Sequence, residues 1–270
     1  MADNSSAPVV VITGATSGIG KALTLGYLQQ GALVAGCARD PLNLQALANE
    51  AGTHALLTVQ ADVSQEADCK HFIETVLQQW GRIDILINNA GISMRALFLE
   101  LDLSILKRSM DINFWGTVYC SKYALPALLQ SKGCIVGISS IAGYKGLPCR
   151  TGYSASKFAM QGFLEALRIE MLHAGVHVMW VSPGFVASNI RNTALNANGS
   201  TQKETPLDEG RLMTAEECAR RIILAVQKRK RQLIMTAQGK LTVWVNKFFP
   251  GFADRQVYKH FSKEPDSPLR

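Results

Sequence analysis

No stretch of this chain stays apolar for the roughly 18–20 residues that a membrane-spanning helix requires, and the opening Met1 to Pro8 carries Asp3 but no basic residue ahead of a hydrophobic run. A transmembrane helix and a secretory leader are therefore not expected. Proline is scarce, with 9 residues among 270 beside 22 glycines, which excludes a collagen-like or low-complexity chain. The six cysteines, Cys37, Cys69, Cys120, Cys134, Cys149 and Cys218, contain no CxxC pair and no zinc spacing. Reduced thiols in a reducing, cytoplasmic compartment are expected in place of a disulfide framework. Acidic residues are outnumbered, 21 Asp and Glu to 28 Lys and Arg, for a formal charge of +7. That excess suits an anionic cofactor, an anionic surface or solubility alone. Without a nucleic-acid-binding signature or an aromatic platform it does not point to nucleic acid. His173 and His177 straddle Gly175, so they do not share a helix face and no metal site is expected.

What is present is a repeated alternation. Val9-Val10-Val11-Ile12 is too short for a helix and runs into Thr13-Gly14, which reads as a buried strand. From Lys21 to Gln30 the residues Ala22, Leu23, Leu25 and Leu28 recur at helical spacing, Gly31 ends the pattern, and Leu33 to Cys37 reads as a second strand. Helices over 41–51, 65–80, 103–131 and 153–173 then alternate with strands over 55–60, 83–87, 134–139 and 176–181. This predicts a doubly wound α/β fold of Rossmann type with a parallel sheet, as a single domain over 1–270 with no linker. A polar segment over 188–212 reads as a substrate loop. A helix capped by Thr214 and a strand at Gln232–Met235 precede a tail over 240–270.

Thr13 to Gly20 spells TGATSGIG between the first strand and the first helix. Gly14, Gly18 and Gly20 let backbone approach a pyrophosphate, while Thr16, Ser17 and Ile19 carry the turn into a helix whose first amides attract an anion. A glycine triplet alone is weak, but this strand-and-helix setting makes it a dinucleotide signal. At the end of the second strand Ala38 stands where an acid would grip the NAD ribose, and Arg39 follows. A guanidinium there suits a 2′-phosphate, so NADP is the expected cofactor, with NAD possible because Asp40 could turn to the ribose. The alternative for Asp40 is a helix start ahead of Pro41. Asp62 and Val63 are expected to hold the adenine, a helix cap being the other reading of Asp62.

With these motifs in order, the chain resembles the short-chain dehydrogenase/reductase family: TGATSGIG, Asn88-Asn89-Ala90-Gly91, Asn113, Ser139-Ser140, Tyr153-Ser-Ala-Ser-Lys157 and Pro183-Gly184. The resemblance covers about Val9 to Ser188 and implies a homo-oligomer, dimer or tetramer, that oxidises an alcohol or reduces a carbonyl with NAD(P). Tyr153 and Lys157 stand one helical turn apart, so an ammonium can favour the ionised phenol. Tyr153 is thus the expected general acid and base, Lys157 its tuner and Ser140 a hydrogen-bond partner of the reacting oxygen. By the resemblance Asn113 anchors a water behind Lys157, Asn89, Ala90 and Gly91 support the ribose, and Pro183, Gly184 and Val186 close over the nicotinamide. Ser188 stands where the family commonly has Thr. A cofactor-binding scaffold without turnover is the competing reading.

Met94, Leu97, Phe98, Tyr144, Leu147, Phe185 and Ile190 lie in loops beyond the strand ends and suggest a hydrophobic or lipid-like carbonyl substrate, with core packing as the alternative. Lys228-Arg229-Lys230-Arg231 precedes the aromatic segment from Leu241 to Phe252. The pair can lie peripherally on an anionic membrane, cover a lipid-like substrate, or pack on its own domain or a sister subunit, and packing is favoured. The ending more loosely resembles the family subgroup that includes dehydrogenase/reductase member seven B.

Overall fold

A computed structural model describes residues 7–184, 186, 190, 193–202, 212–264 and 267–269. Strands β1 (Val9–Thr13), β2 (Leu33–Ala38), β3 (Leu56–Gln60), β4 (Ile85–Asn88), β5 (Cys134–Ile138), β6 (His177–Ser182) and β7 (Gln232–Ile234) form one sheet in the order β3-β2-β1-β4-β5-β6-β7. Every pairing is parallel. The order reverses between β1 and β4, which opens a crevice at the carboxyl ends of those strands.

The strands are apolar on both faces because helices cover both. Val10 and Ile12 pack with Leu23 and Tyr27 of α1 (Gly18–Gln29), Leu47 of α2 (Pro41–Ala51) and Ile222 of α7 (Ala215–Gln227). Val9 and Val11 pack on the opposite side with Phe72 of α3 (Glu66–Trp80), Leu128 of α5 (Gly116–Ser131) and Leu164 of α6 (Thr151–Glu170). Alternate residues of β1 thus serve two separate cores. All six cysteines are buried and free of disulfides, five of them in these layers and Cys149 in the loop before α6.

Several boundaries differ from the sequence expectation. The helix expected over 103–131 divides into α4 (Leu103–Met110), a π-helical turn at Asp111–Trp115, and α5. Such a turn inserts an extra residue per winding and re-aims the side chain it carries, here Asn113. Thr214 caps α7 as expected, its hydroxyl accepting from Glu217 N at 3.1 Å with Glu216 and Glu217 in the first turn.

The tail is two helices, α8 (Ala237–Phe248) and α9 (Pro250–Phe261), docked on the chain's own body. Asn246 Nδ2 donates to Tyr144 O at 2.9 Å, Asp254 pairs with Lys145, and Glu264 pairs with Arg150 and Arg95. The basic run 228–231 does not share a surface with this tail. Because β7 runs parallel to β6, it carries the chain from the amino edge of the sheet to the carboxyl edge, so the cluster and the aromatic helix stand at opposite ends. Two of its four side chains are engaged locally: Arg229 donates to Gly175 O at 2.7 Å and Arg231 pairs with Glu165 at 3.3 Å, while the His177 ring meets the Lys230 backbone carbonyl at 3.1 Å.

Candidate functional site

A cleft of about 930 Å³ opens at the carboxyl edge of the sheet over the strand-order reversal. Its position is dictated by the sheet, since only there do the loops after neighbouring strands part to opposite faces. Gly14, Thr16, Ser17, Gly18 and Ile19 form one wall. Gly14 and Gly18 have φ of 66° and 50°, a left-handed backbone that glycine adopts without cost. Gly20 lies beneath this wall: a Cβ there would come within 2.1 Å of Gly14 O, so helix and turn are interlocked at that point. The first turn of α1 holds no acid, and Ser17 does not cap it through its side chain. Its amides therefore border the cleft as donors, the chemistry that suits a dinucleotide's diphosphate.

Beyond that wall Arg39, Asp62 and Val63 line the cleft. Arg39 is exposed, and among the described residues it forms no ion pair. Asp40 is committed elsewhere: its carboxylate accepts from Leu42 N at 2.9 Å and Asn43 Nδ2 at 2.7 Å, capping α2 ahead of Pro41. Asp62 folds its carboxylate onto Ser64, accepting from the amide at 3.0 Å and the hydroxyl at 2.8 Å. It closes a turn and does not cap α3, whose capping residue is Gln65.

Asn89, Ala90 and Gly91 also line the cleft. The Asn89 amide group is used as a brace, donating to Thr13 O at 2.9 Å and Gly14 O at 3.1 Å. Thr13 Oγ1 in turn accepts from Asn89 N and Ala90 N, both at 3.0 Å, tying β4 to β1 at the crevice. Pro183, Gly184 and Val186 border the far end. Ser188 and Phe185 lie outside the described residues.

Ser140, Tyr153 and Lys157 converge on the floor. Tyr153 is half-buried, and the Ser140 hydroxyl beside it favours the ionised phenol. Burial raises the phenol above its ordinary pKa, outweighing the lowering effects of the Ser140 bond and the Arg150 charge. Lys157 stands 5.8 Å from the Tyr153 ring centre and donates to Ile138 O at 2.8 Å. Burial pushes its ammonium down from 10.5 to about 7. Desolvation sets the net direction for the phenol, and the Arg150 charge opposes it. Asn113 sits behind the cleft, its Oδ1 accepting from Ile92 N at 2.8 Å and its Nδ2 donating to Ser156 Oγ at 2.8 Å. It holds the loop after β4 against α6.

Of the apolar loop residues read as facing substrate, Ile190 lines the cleft. Met94 is fully buried in a small core with Leu195 and Ile105, and Phe98 is exposed. The Tyr144 hydroxyl accepts from Trp180 Nε1 at 2.6 Å and donates to Gln232 at 2.9 Å, so it packs on the sheet edge. Arg108, Thr193, Leu195 and Thr201 complete the cleft mouth. No local pattern marks them; Leu195 is brought in by a bridge to Met94.

A family model described as short chain dehydrogenase matches residues 8–199. The chain belongs to the short-chain dehydrogenase/reductase family, and with it to a class of oxidoreductases that act on CH–OH groups with NAD(P). It is 34% identical over 267 residues to dehydrogenase/reductase SDR family member 7B of Mus musculus, covering 96% of this chain and 83% of that one. To 11-beta-hydroxysteroid dehydrogenase A of Sesamum indicum it is 33% identical over 270 residues, 96% of this chain and 77% of the other. A short chain dehydrogenase/reductase from Burkholderia phymatum, solved with NAD, shares the fold with a TM-score of 0.80 at 22% identity, over 91% and 95% of the two chains.

Proposed function

We propose that this chain is an NADP-dependent oxidoreductase that interconverts a hydrophobic carbonyl compound and a secondary alcohol, with Tyr153 as general acid and base. The observation that carries this reading is the meeting of Ser140, Tyr153 and Lys157 on the floor of one cleft whose other wall is the glycine turn. Ser140 orients the phenol and offers a second donor to the reacting oxygen. Tyr153 gives a proton to the oxygen of a carbonyl as it becomes an alcohol and takes one in the reverse sense. Asn113 keeps the loop at Ile92 fixed against α6, so that the floor does not open to bulk water. Bound nicotinamide dinucleotide supplies or accepts the hydride.

The NADP preference is supported by Arg39 at the cleft edge and by the commitment of Asp40 to α2. A hydrophobic substrate is supported by Val186, Ile190 and Leu195 on the walls and by relatives named as hydroxysteroid dehydrogenases. A screen of lipophilic ketones and polar sugars against NADPH and NADH tests activity, cofactor and substrate class together. NADPH-dependent reduction of the ketones is expected, and Arg39→Ala should lower the NADPH-to-NADH ratio of kcat/KM at least about tenfold, the loss of a charge-assisted bond. Cofactor binding with no turnover of any carbonyl would leave a scaffold instead.

The chain is further read as a homodimer or homotetramer that touches an anionic membrane through α8. Ala237, Leu241, Trp244 and Phe248 form one exposed stripe at helical spacing, continued by Phe249 and Phe252. Lys240 and Lys247 flank it, and no acid occurs from 237 to 253. That charge match favours anionic headgroups over a neutral partner. The full chain should float with vesicles of phosphatidylcholine and phosphatidylserine, and Trp244→Ser with Phe248→Ser should abolish flotation. Equal recovery of both proteins in the vesicle fraction would refute this contact. Among the described residues no helix is long and apolar enough to cross a membrane.

A further inference from the structure

We propose that α8, α9 and the residues after them clamp the segment that joins Ser140 to Tyr153, and that Glu264 is the positioning residue through which the clamp sets the Tyr153 phenol. This rests on the proposed roles of Ser140 and Tyr153 in proton transfer.

Between those two hydroxyls the chain runs through a short turn at Ile141–Gly143 and a loop to Thr151. Four points of that segment are held from the tail. Gly239 lies so close to Ile141 that a Cβ would come within 2.8 Å of it. Asn246 donates to Tyr144 O at 2.9 Å. Asp254 pairs with Lys145, itself 8% exposed. Glu264 takes both ends of its carboxylate to Arg150, at 3.3 and 3.2 Å, and the Arg150 guanidinium stacks 4.5 Å over the Phe261 ring.

Arg150 is the residue immediately before α6. Its carbonyl accepts from Ser154 N at 2.8 Å, so its placement fixes the first turn, which carries Tyr153. Glu264 also pairs with Arg95 at 3.4 Å, and the Arg95 amide donates to Leu195 O at 2.7 Å at the cleft mouth. One buried carboxylate thereby joins the floor of the cleft to its rim.

This unit lies outside the three main apolar clusters, although Ala253 and Phe261 of α9 are buried. None of the three buried apolar clusters among the described residues reaches beyond Met235, and the matched family model ends at residue 199. A contact set outside those clusters, aimed at the segment between two proposed reacting hydroxyls, is placed for positioning.

The test uses the full chain and the variants Glu264→Ala, Glu264→Asp, Arg150→Gln and the Glu264→Ala/Arg150→Gln pair. Glu264→Ala should lower kcat about tenfold or more, as a small misplacement of a reacting group does. Its NADPH affinity should stay within about twofold, because the glycine turn is untouched. The kcat profile should move to higher pH in Glu264→Ala and in Arg150→Gln alike, since the first releases the Arg150 cation from its fixed place near the phenol and the second deletes it. A direct charge effect of Glu264 would move the two in opposite directions. The paired variant should be no worse than Arg150→Gln alone, and Glu264→Asp should recover part of the loss. Unchanged kcat, an unmoved pH profile or additive losses would overturn the proposal. Should Glu264→Ala fail to fold, Asp254→Ala, at the exposed end of the clamp, should move kcat and its profile in the same direction by less, and no movement overturns it. If the native chain reduces no carbonyl, the function above fails, and the clamp is read separately from the ultraviolet titration of Tyr153, taken as the difference from Tyr153→Phe. A midpoint raised by Glu264→Ala supports the clamp; an unmoved one sinks it.

Discussion

Tyr153→Phe should bind NADPH as the native chain does and lose about 10²–10⁴ in kcat, the range that a positioned general acid contributes. The substitution deletes one oxygen and keeps the ring, so packing against Lys157 is retained and the fold should melt within about 1 kcal/mol of the native chain. Burial raises this phenol, so the protonated form dominates near neutrality and carbonyl reduction starts from the competent state. Alcohol oxidation needs the phenolate, so its rate should climb with pH over a range in which reduction is flat. Steady-state rates in both directions across pH, with cofactor affinity measured separately, check this. Residual turnover within about tenfold of native would move the acid role to another group.

Lys157→Met should inactivate the enzyme and yet stabilise the empty fold in acid. The ammonium is 2% exposed, and burial brings it from 10.5 to about 7. Between those values the unfolded chain holds a proton that the folded chain lacks, so the native protein gains stability as pH rises from about 7 toward 10.5. Below about 7 the folded state carries the buried cation at full cost. A shift of this size corresponds to a few kcal/mol, and methionine of similar shape avoids it. Against that gain stands the lost donation to Ile138 O, about 1 kcal/mol. The variant should therefore be about 1–3 kcal/mol more stable near pH 6, and less stable than the native chain above pH ~10.5. Urea unfolding at both pH values, beside a kcat lowered about a hundredfold or more, gives the comparison; a variant less stable at pH 6 would contradict the cost assigned to the cation.

The glycine turn and the alternation of β1, α1 and β2 are legible because each rests on neighbours within a dozen residues. Apolar period, a positive-φ glycine and a Thr214 cap are local devices. Asp40 was open between ribose and helix start on sequence alone, and the structure commits it to α2 through Leu42 and Asn43. Contacts across long separations were not legible. Arg150 and Glu264 are 114 residues apart and belong to no pattern that pairs them. Pro250-Gly251 breaks the helical period, so α8 and α9 read as one aromatic segment within a tail and not as two helices. Adjacency misled as well: the basic run 228–231 precedes the aromatic helix in sequence, but a parallel β7 between them sends them to opposite edges. Met94 and Tyr144 show that loop membership does not say which way a side chain faces.

The pairing of Arg150 with Glu264 also sets an order on biosynthesis. At roughly 5–20 residues per second, a ribosome needs about 6–23 s to make the 114 residues that separate them. The glycine turn, the crevice between β1 and β4 and both cores up to β6 are translated first. A nascent chain can thus acquire its cofactor cleft while the loop before α6 is still unsecured, and it becomes a mature catalyst only when Glu264 arrives.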